Sequence, residues 1–328
     1  MHINQIFTLS MVLDNEKFRK VLNRVYDKMG YLDENEDEYI DKSLVSKGIS
    51  IIYRDSQYKK KVKVVVSSGM LLDENSSAPD KLLRKLDKRI SEYFGFKYRV
   101  EDFTLSEMIL SADIDVCRRE NAAAYLKVFK KIGKVKGFSP SMYEGFDDID
   151  SFCLDGNSNS IEFLIYDLEN YVAQRLKETD IERKKLKSAI RESEGILRAE
   201  VRLTKPKAIR DYADAVDISG QVIELSERCQ DIFLDTFTRI IPFGDFYKKD
   251  KAVEIIQNKV EDIRLRRKML RLMALIPEKK SLYLAQKAMD CRNIEKIMEE
   301  FAKINLSPIT ISKRYVMKHL KCFYEYVC

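Results

Sequence analysis

Residues 196–203, ILRAEVRL, alternate apolar and charged side chains from the second position to the last. Side chains along a strand point to opposite faces in turn. Leu197, Ala199, Val201 and Leu203 therefore line one face, and Arg198, Glu200 and Arg202 the other. The spacing predicts a strand that is buried on one side only. Two earlier stretches have the same period. In 107–117 (EMILSADIDVC), Leu110, Ala112, Ile114 and Val116 face one way, and Ser111, Asp113 and Asp115 the other. In 160–166 (SIEFLIY), Ile161, Phe163 and Ile165 share a face, and Ser160, Glu162, Leu164 and Tyr166 the opposite one.

Outward from these strands the pattern continues. Residues 4–12 read as a strand and 14–29 as an amphipathic helix ended by Gly30. GISIIYR (48–54) and KVKVVVS (61–67) are rich in β-branched residues and flank a polar segment, which predicts a hairpin. Helices are expected over 78–95, 121–132 and 168–193. Residues 151–155 pair with 160–166 across the turn cluster Gly156-Asn157-Ser158-Asn159. These elements predict an α+β fold with a largely antiparallel central sheet and flanking helices. From about residue 206 the chain reads as helical, with a break at Phe243-Gly244-Asp245. Residues 250–272 read as one basic helix, Pro277 as the start of a new segment, and 281–303 as two short helices. LSPITISKRYVMKHL reads as a turn and then a helix capped by Ser307 or Thr310. The expected division is a domain over 1–245 and a small all-helical domain over 246–328.

Composition narrows the class. Lys and Arg outnumber Asp and Glu by 59 to 53 in 328 residues, a mild excess that suits contact with a polyanion on one face. It equally suits a well-charged soluble surface. No cysteine pair has the C-x-x-C spacing of a zinc site, and the cysteine pattern fits a reducing cytoplasm. No apolar run is long enough to span a bilayer, and the first residues lack the basic start of a secretory signal. A soluble, cytoplasmic chain with no membrane partner is expected.

Two carboxylates one alternation apart on a strand face repel each other unless something cationic lies over them. Asp113 and Asp115 are such a pair, and hard divalent ions such as Mg²⁺ or Mn²⁺ prefer oxygen ligands of this kind. Glu200 sits between two arginines, which also fits a solvated face with paired charges. The hairpin carries Lys59, Lys60 and Lys61 near Tyr53 and Tyr58, an interleaving that suits single-stranded nucleic acid or a solvated tip. Arg264, Arg266, Arg267, Lys268 and Arg271 form the densest basic run, fit for duplex phosphates or an exposed charged helix. Tyr166 lies where a strand gives way to the helix containing Glu169.

Taken together, four blocks resemble the replication-initiation nickases of filamentous phages, the gene II/X family, and are similar to Rep_trans-type rolling-circle Rep proteins. GISIIYR with KVKVVVS resembles the family's N-terminal hairpin. ILSADIDV resembles its Arg-Ile-Asp strand, with Asp113 in place of Arg. GNSNSIEFLIYDLENYVAQ resembles the segment holding the catalytic tyrosine, and ILRAEVRLTKPKAIRDY the later strand with an Arg-x-Glu-x-Arg core. The likeness covers roughly residues 45–215. Leu168 stands where the family usually has lysine, and the chain has no His-hydrophobic-His pair.

The resemblance implies an HUH/Rep-like nuclease fold and a metal-dependent nicking-closing endonuclease that starts rolling-circle replication. It implies Tyr166 as nucleophile, forming a 5′-phosphotyrosine, and puts Asp115 and Glu200 at acidic positions of the site; Asp113 and Glu162 are the further expected ligands of Mg²⁺ or Mn²⁺. Arg198 and Arg202 join Lys59, Lys60, Lys61 and the C-terminal basic run as expected DNA contacts. Single- and double-stranded origin DNA, a host helicase and a host polymerase are the implied partners in the cytoplasm of a bacterial host, and a homodimer stays open. Three other readings stay open: a relaxase of a mobile element, a non-catalytic origin-binding protein, and a metal nuclease that uses water.

Overall fold

The computed structural model describes residues 2–29, 33–35, 38–57, 59–72, 78–95, 97–142, 149–156, 160–177, 183–289 and 293–327. Ten strands form one sheet: β1 (Asn4–Leu13), β2 (Asp33–Asn35), β3 (Glu38–Asp41), β4 (Ile49–Asp55), β5 (Lys60–Ser67), β6 (Thr104–Asp115), β7 (Phe138–Pro140), β8 (Ser151–Gly156), β9 (Ile161–Asp167) and β10 (Ile196–Leu203). Their order is β2-β3-β4-β5-β1-β6-β10-β9-β8-β7. All neighbours run antiparallel.

The period-2 pattern decides which face is buried. Leu110, Val201 and Phe163 lie side by side across β6, β10 and β9, as do Phe7 and Val66 across β1 and β5, and all are sealed from solvent. This apolar face is covered by helices. These are α1 (Asn15–Met29), α2 (Ser68–Leu72), α3 (Pro79–Phe94) and α4 (Arg119–Phe129), and later α7 (Pro206–Arg210), α8 (Ile218–Glu227) and α9 (Cys229–Ile240). Between them come α5 (Leu168–Lys177), which covers part of the opposite face, and α6 (Arg183–Glu192), which packs on α5. The single helix expected over 168–193 is thus described as two segments. Residues 178–182 lie outside the described residues, as do Gly30, Tyr58 and the turn at 157–159.

The connection into β10 needs a glycine. Gly195 has φ 72°, and a Cβ there would sit 2.7 Å from the Arg118 nitrogen, while its carbonyl accepts from Val116 N–H. Two strand ends are pressed together at this point, with no room for a side chain. Gly195→Ala is expected to destabilise the fold by about 2 kcal/mol or more, read as a lower midpoint in urea unfolding.

Beyond α9 come β11 (Phe246–Tyr247), α10 (Lys249–Lys259), α11 (Ile263–Lys279), α12 (Leu282–Ala288), α13 (Ile294–Lys303) and β12 (His319–Leu320), with β11 and β12 paired as a short ribbon. One continuous buried cluster runs through residues on both sides of position 245. Tyr125 and Phe129 of α4 pack edge-on or tilted against Phe246 and Phe323, and Tyr125 donates to the Lys321 carbonyl at 2.8 Å.

Three expectations in this region are corrected. The basic helix over 250–272 is two helices, because Val260 is extended and Asp262 caps a new start, accepting from Arg264 and Leu265 N–H. Pro277 lies inside α11, in its exposed last turn, and the helix ends where Lys280 turns left-handed. Residues 306–318 form no helix. Residues 306–311 run as an extended strap along 245–248, where Ser307 N–H donates to the Asp245 carbonyl at 2.8 Å and Ile311 N–H to that of Tyr247 at 3.1 Å, and 312–318 follow in a turn and bends. Pro308 disfavours helix at Ser307, and Leu306, Ile309 and Ile311 fill the core. Gly244 allows the close approach: its φ is 110°, and a Cβ would lie 2.5 Å from the Leu306 carbonyl carbon.

Candidate functional site

The three strands singled out by their alternation are neighbours, and their register builds the site. On the face away from the main core, Tyr166, Arg198 and Asp113 lie side by side across β9, β10 and β6. The next row holds Leu164, Glu200 and Ser111, and the one beyond it Glu162, Arg202 and Ile109.

Tyr166 donates its hydroxyl hydrogen to Glu200 Oε1 at 2.6 Å. The other oxygen of Glu200 accepts from Arg202 Nε at 2.7 Å and Nη2 at 2.6 Å. Arg198 grips Asp113 with two parallel bonds, Nε to Oδ1 at 2.6 Å and Nη2 to Oδ2 at 2.8 Å. Such forked pairs fix both geometry and charge. Burial alone would push the Arg198 guanidinium down, but the Asp113 carboxylate outweighs it and holds the group firmly charged.

Tyr166 is only 1% exposed and Glu200 only 6%. The ring belongs to a small apolar cluster separate from the main core, with Ile149, Cys153, Leu164 and Leu168, against which Tyr171 and Val172 of α5 pack. Burial, then the Glu200 carboxylate, push the phenol well above its usual value near 10, with Arg198 opposing. The hydroxyl is held protonated and aimed at a carboxylate. A preformed tyrosinate is disfavoured; a proton handed to Glu200 during attack is geometrically prepared.

The sequence matches no protein-family model and no curated protein. A solved structure of a rolling circle replication initiator protein from Geobacillus stearothermophilus is similar at 10% identity over 96% of this chain and all of that one, with a TM-score of 0.32. A likeness at that score and identity establishes neither activity nor site.

The structure brings together some of the expected residues and separates others. Tyr166, Glu200, Arg198, Arg202 and Asp113 form one hydrogen-bonded patch. Asp115 lies at the exposed end of β6, opposite Ile196, and accepts from Cys117 N–H at 2.7 Å. Glu162 lies two rows along from Tyr166, across from Arg202. Among the described residues no group of three or more His, Cys, Asp or Glu is placed to hold a metal ion. Both oxygens of Asp113 are engaged by Arg198, and both of Glu200 by Tyr166 and Arg202. The four carboxylates therefore do not fit a metal set as they stand.

Lys61 lies on the same sheet face, but β5 is four strands from β9 and Lys61 pairs with Val12, far along β1 from the site. Strand spacing of ~4.8 Å and rise of ~3.3 Å put the hairpin end on the order of 40 Å from Tyr166. Lys60 instead pairs with Asp55, and Lys59 is exposed at the tip. In α11, Arg264, Arg267, Lys268 and Arg271 are exposed at i, i+3, i+4 and i+7, one stripe of the helix. Arg266 points elsewhere: its Nε and Nη2 donate to the Val260 carbonyl at 2.9 and 2.6 Å, closing the end of α10. None of the described helices is long and apolar enough to cross a membrane.

Sequence reasoning missed the cover over Tyr166 and the pair that secures it, Arg119 of α4 with Glu169 of α5. A signal was present: Leu168, Tyr171 and Val172 stand at i, i+3 and i+4, an apolar helix face beginning directly after the tyrosine.

Tyr53, Tyr93 and Tyr125 are also pushed up, each first by burial. A phenol raised above its unfolded value near 10 contributes stability that is whole below that pH and is lost as pH rises through the folded value. Ultraviolet titration of the 17 tyrosines is therefore expected to show a late group that ionises only together with alkaline unfolding. A single smooth transition at the ordinary phenol value would contradict the burial of these rings.

Proposed function

We propose that this chain is a sequence-specific DNA nicking-closing endonuclease that initiates rolling-circle replication of a phage or plasmid. The observation that carries the reading is the 2.6 Å bond from the Tyr166 hydroxyl to Glu200, set beside the Arg198–Asp113 pair on one sheet face. The blocks quoted from the sequence support it by assigning the nucleophile's place to the same tyrosine.

In this reading Tyr166 Oη attacks the phosphorus of a phosphodiester as its proton passes to Glu200. The bond from phosphorus to the 3′ oxygen breaks, leaving a 5′-phosphotyrosine and, after protonation, a free 3′-OH. Arg198 and Arg202 offset the charge gathering on the phosphoryl oxygens. The covalent link conserves the bond, so the reverse attack by a 3′-OH reseals the strand without ATP. The free 3′-OH would prime a host polymerase, with a host helicase opening the duplex. Binding of a divalent ion here would require Asp113 or Glu200 to leave its present partner.

The test incubates the protein with single-stranded origin DNA, with and without Mn²⁺, and looks for a covalent band on a denaturing gel. A band supports the reading; strand cleavage without a band points to attack by water, and binding alone to a non-catalytic initiator. The 1% exposure of Tyr166 favours that last reading as the second one.

The stripe Arg264, Arg267, Lys268 and Arg271 is proposed to contact duplex phosphates beside the nick. Replacing all four by alanine is expected to lower the salt slope of duplex binding by roughly three to four, at ~0.9 for each phosphate contact. An unchanged slope would remove the stripe from the interface.

A further inference from the structure

We propose that α5 is an autoinhibitory cover over Tyr166, fastened by the Arg119–Glu169 pair and released before the hydroxyl meets DNA. The inference rests on the nickase reading for what the cover regulates, but not for its existence. Three observations carry it. The Tyr166 ring is sealed by a cluster of its own, to which α5 gives Leu168, Tyr171 and Val172, and its centroid lies 5.1 Å from that of Tyr171 with the rings tilted. That cluster is small beside the main core, so lifting α5 exposes little apolar surface and leaves the covered face of the sheet intact. The first turn of α5 is tied to the start of α4: Arg119 holds both oxygens of Glu169, with Nε to Oε2 at 2.9 Å.

The geometry explains how burial and reactivity coexist at one residue. Tyr166 lies on a strand fixed on both sides by β10 and β8, so its position does not depend on α5. Asp167 Oδ1 accepts from Asn170 N–H at 3.1 Å and turns the chain sharply from β9 into the helix. The hinge is therefore immediately next to the tyrosine, and the fastening lies two residues further on. Arg119 is 59% exposed, so its guanidinium is accessible to a competing phosphate, which binds the same fork as Glu169 does. An arriving DNA backbone that takes Arg119 from Glu169 would release the cover where the tyrosine is needed.

The experiment compares wild type, Arg119→Gln, Glu169→Gln and the charge-reversed double variant Arg119→Glu with Glu169→Arg. Nitration of Tyr166 by tetranitromethane is followed by peptide mass spectrometry, with hydrogen exchange over residues 168–175 and nitration of the core residue Tyr53 alongside. The expected result is roughly a fivefold or greater rise in Tyr166 nitration and α5 exchange in both single variants, with Tyr53 unchanged and protection regained in the double. Equal Tyr166 nitration in all four proteins overturns the proposal. So does a parallel rise at Tyr53, which would mark general loosening. Should Tyr166 open as expected while no variant forms an adduct with DNA, the cover stands and the nickase reading fails.

Discussion

Tyr166→Phe is expected to abolish the covalent protein–DNA adduct, a loss of at least roughly a thousandfold, while affinity for the same single strand stays within about threefold. Phenylalanine keeps the ring in its cluster with Leu164 and Leu168 and removes only the oxygen. The structural cost is the hydrogen bond to Glu200, so a penalty of about 1–2 kcal/mol is expected and the fold survives. A denaturing gel scores the adduct, and fluorescence anisotropy with the labelled oligonucleotide scores binding. An adduct of undiminished yield in Tyr166→Phe would assign the nucleophile to another tyrosine.

Glu200→Ala carries the second large effect, and it falls first on stability. Glu200 is buried and serves two partners, Tyr166 and the half-buried Arg202. Its removal takes a buried carboxylate from Arg202 and the acceptor from the Tyr166 hydroxyl. A loss of about 3 kcal/mol follows, the scale for breaking one side of a buried pair. Glu200→Gln separates this from chemistry. The amide is of similar shape and can still accept from either partner, so much of the stability returns, yet it cannot take a proton. Adduct formation in Glu200→Gln should fall by roughly a hundredfold or more, as for loss of a positioned base. Thermal unfolding and single-turnover nicking, measured on both variants, check the two parts. Wild-type rates in Glu200→Gln would exclude this carboxylate as the proton acceptor.

The strands were legible because one face of each is buried. Leu197, Ala199, Val201 and Leu203 announced β10, and Ile161, Phe163 and Ile165 announced β9, through a period that only a half-buried strand imposes. The same period placed Tyr166, Glu200 and Asp113 on a common face before any tertiary information. Strand order was not legible, because alternation says which side a residue takes and nothing about its neighbours. That is why the hairpin lysines and the tyrosine, expected in one interface, share a face yet stand at opposite ends of it. The strap at 306–311 was misread for a related reason. Its backbone is satisfied by 245–248, more than fifty residues away in sequence, and local capping signals at Ser307 and Thr310 are silent about such partners. Arg119 and Glu169 look like ordinary surface charges until the fold sets α4 beside α5.

The order β6-β10-β9 in the middle of the sheet also has a consequence for biosynthesis. Asp113 and Tyr166 never touch a common bond; the strand between them, carrying Arg198 and Glu200, is the last of the three to leave the ribosome. Until residue 203 has emerged, β6 and β9 have no shared partner, and the phenol has neither its proton acceptor nor its neighbouring guanidinium. A half-made chain exposes two unpaired strand edges. Insertion of one eight-residue strand covers both edges at once.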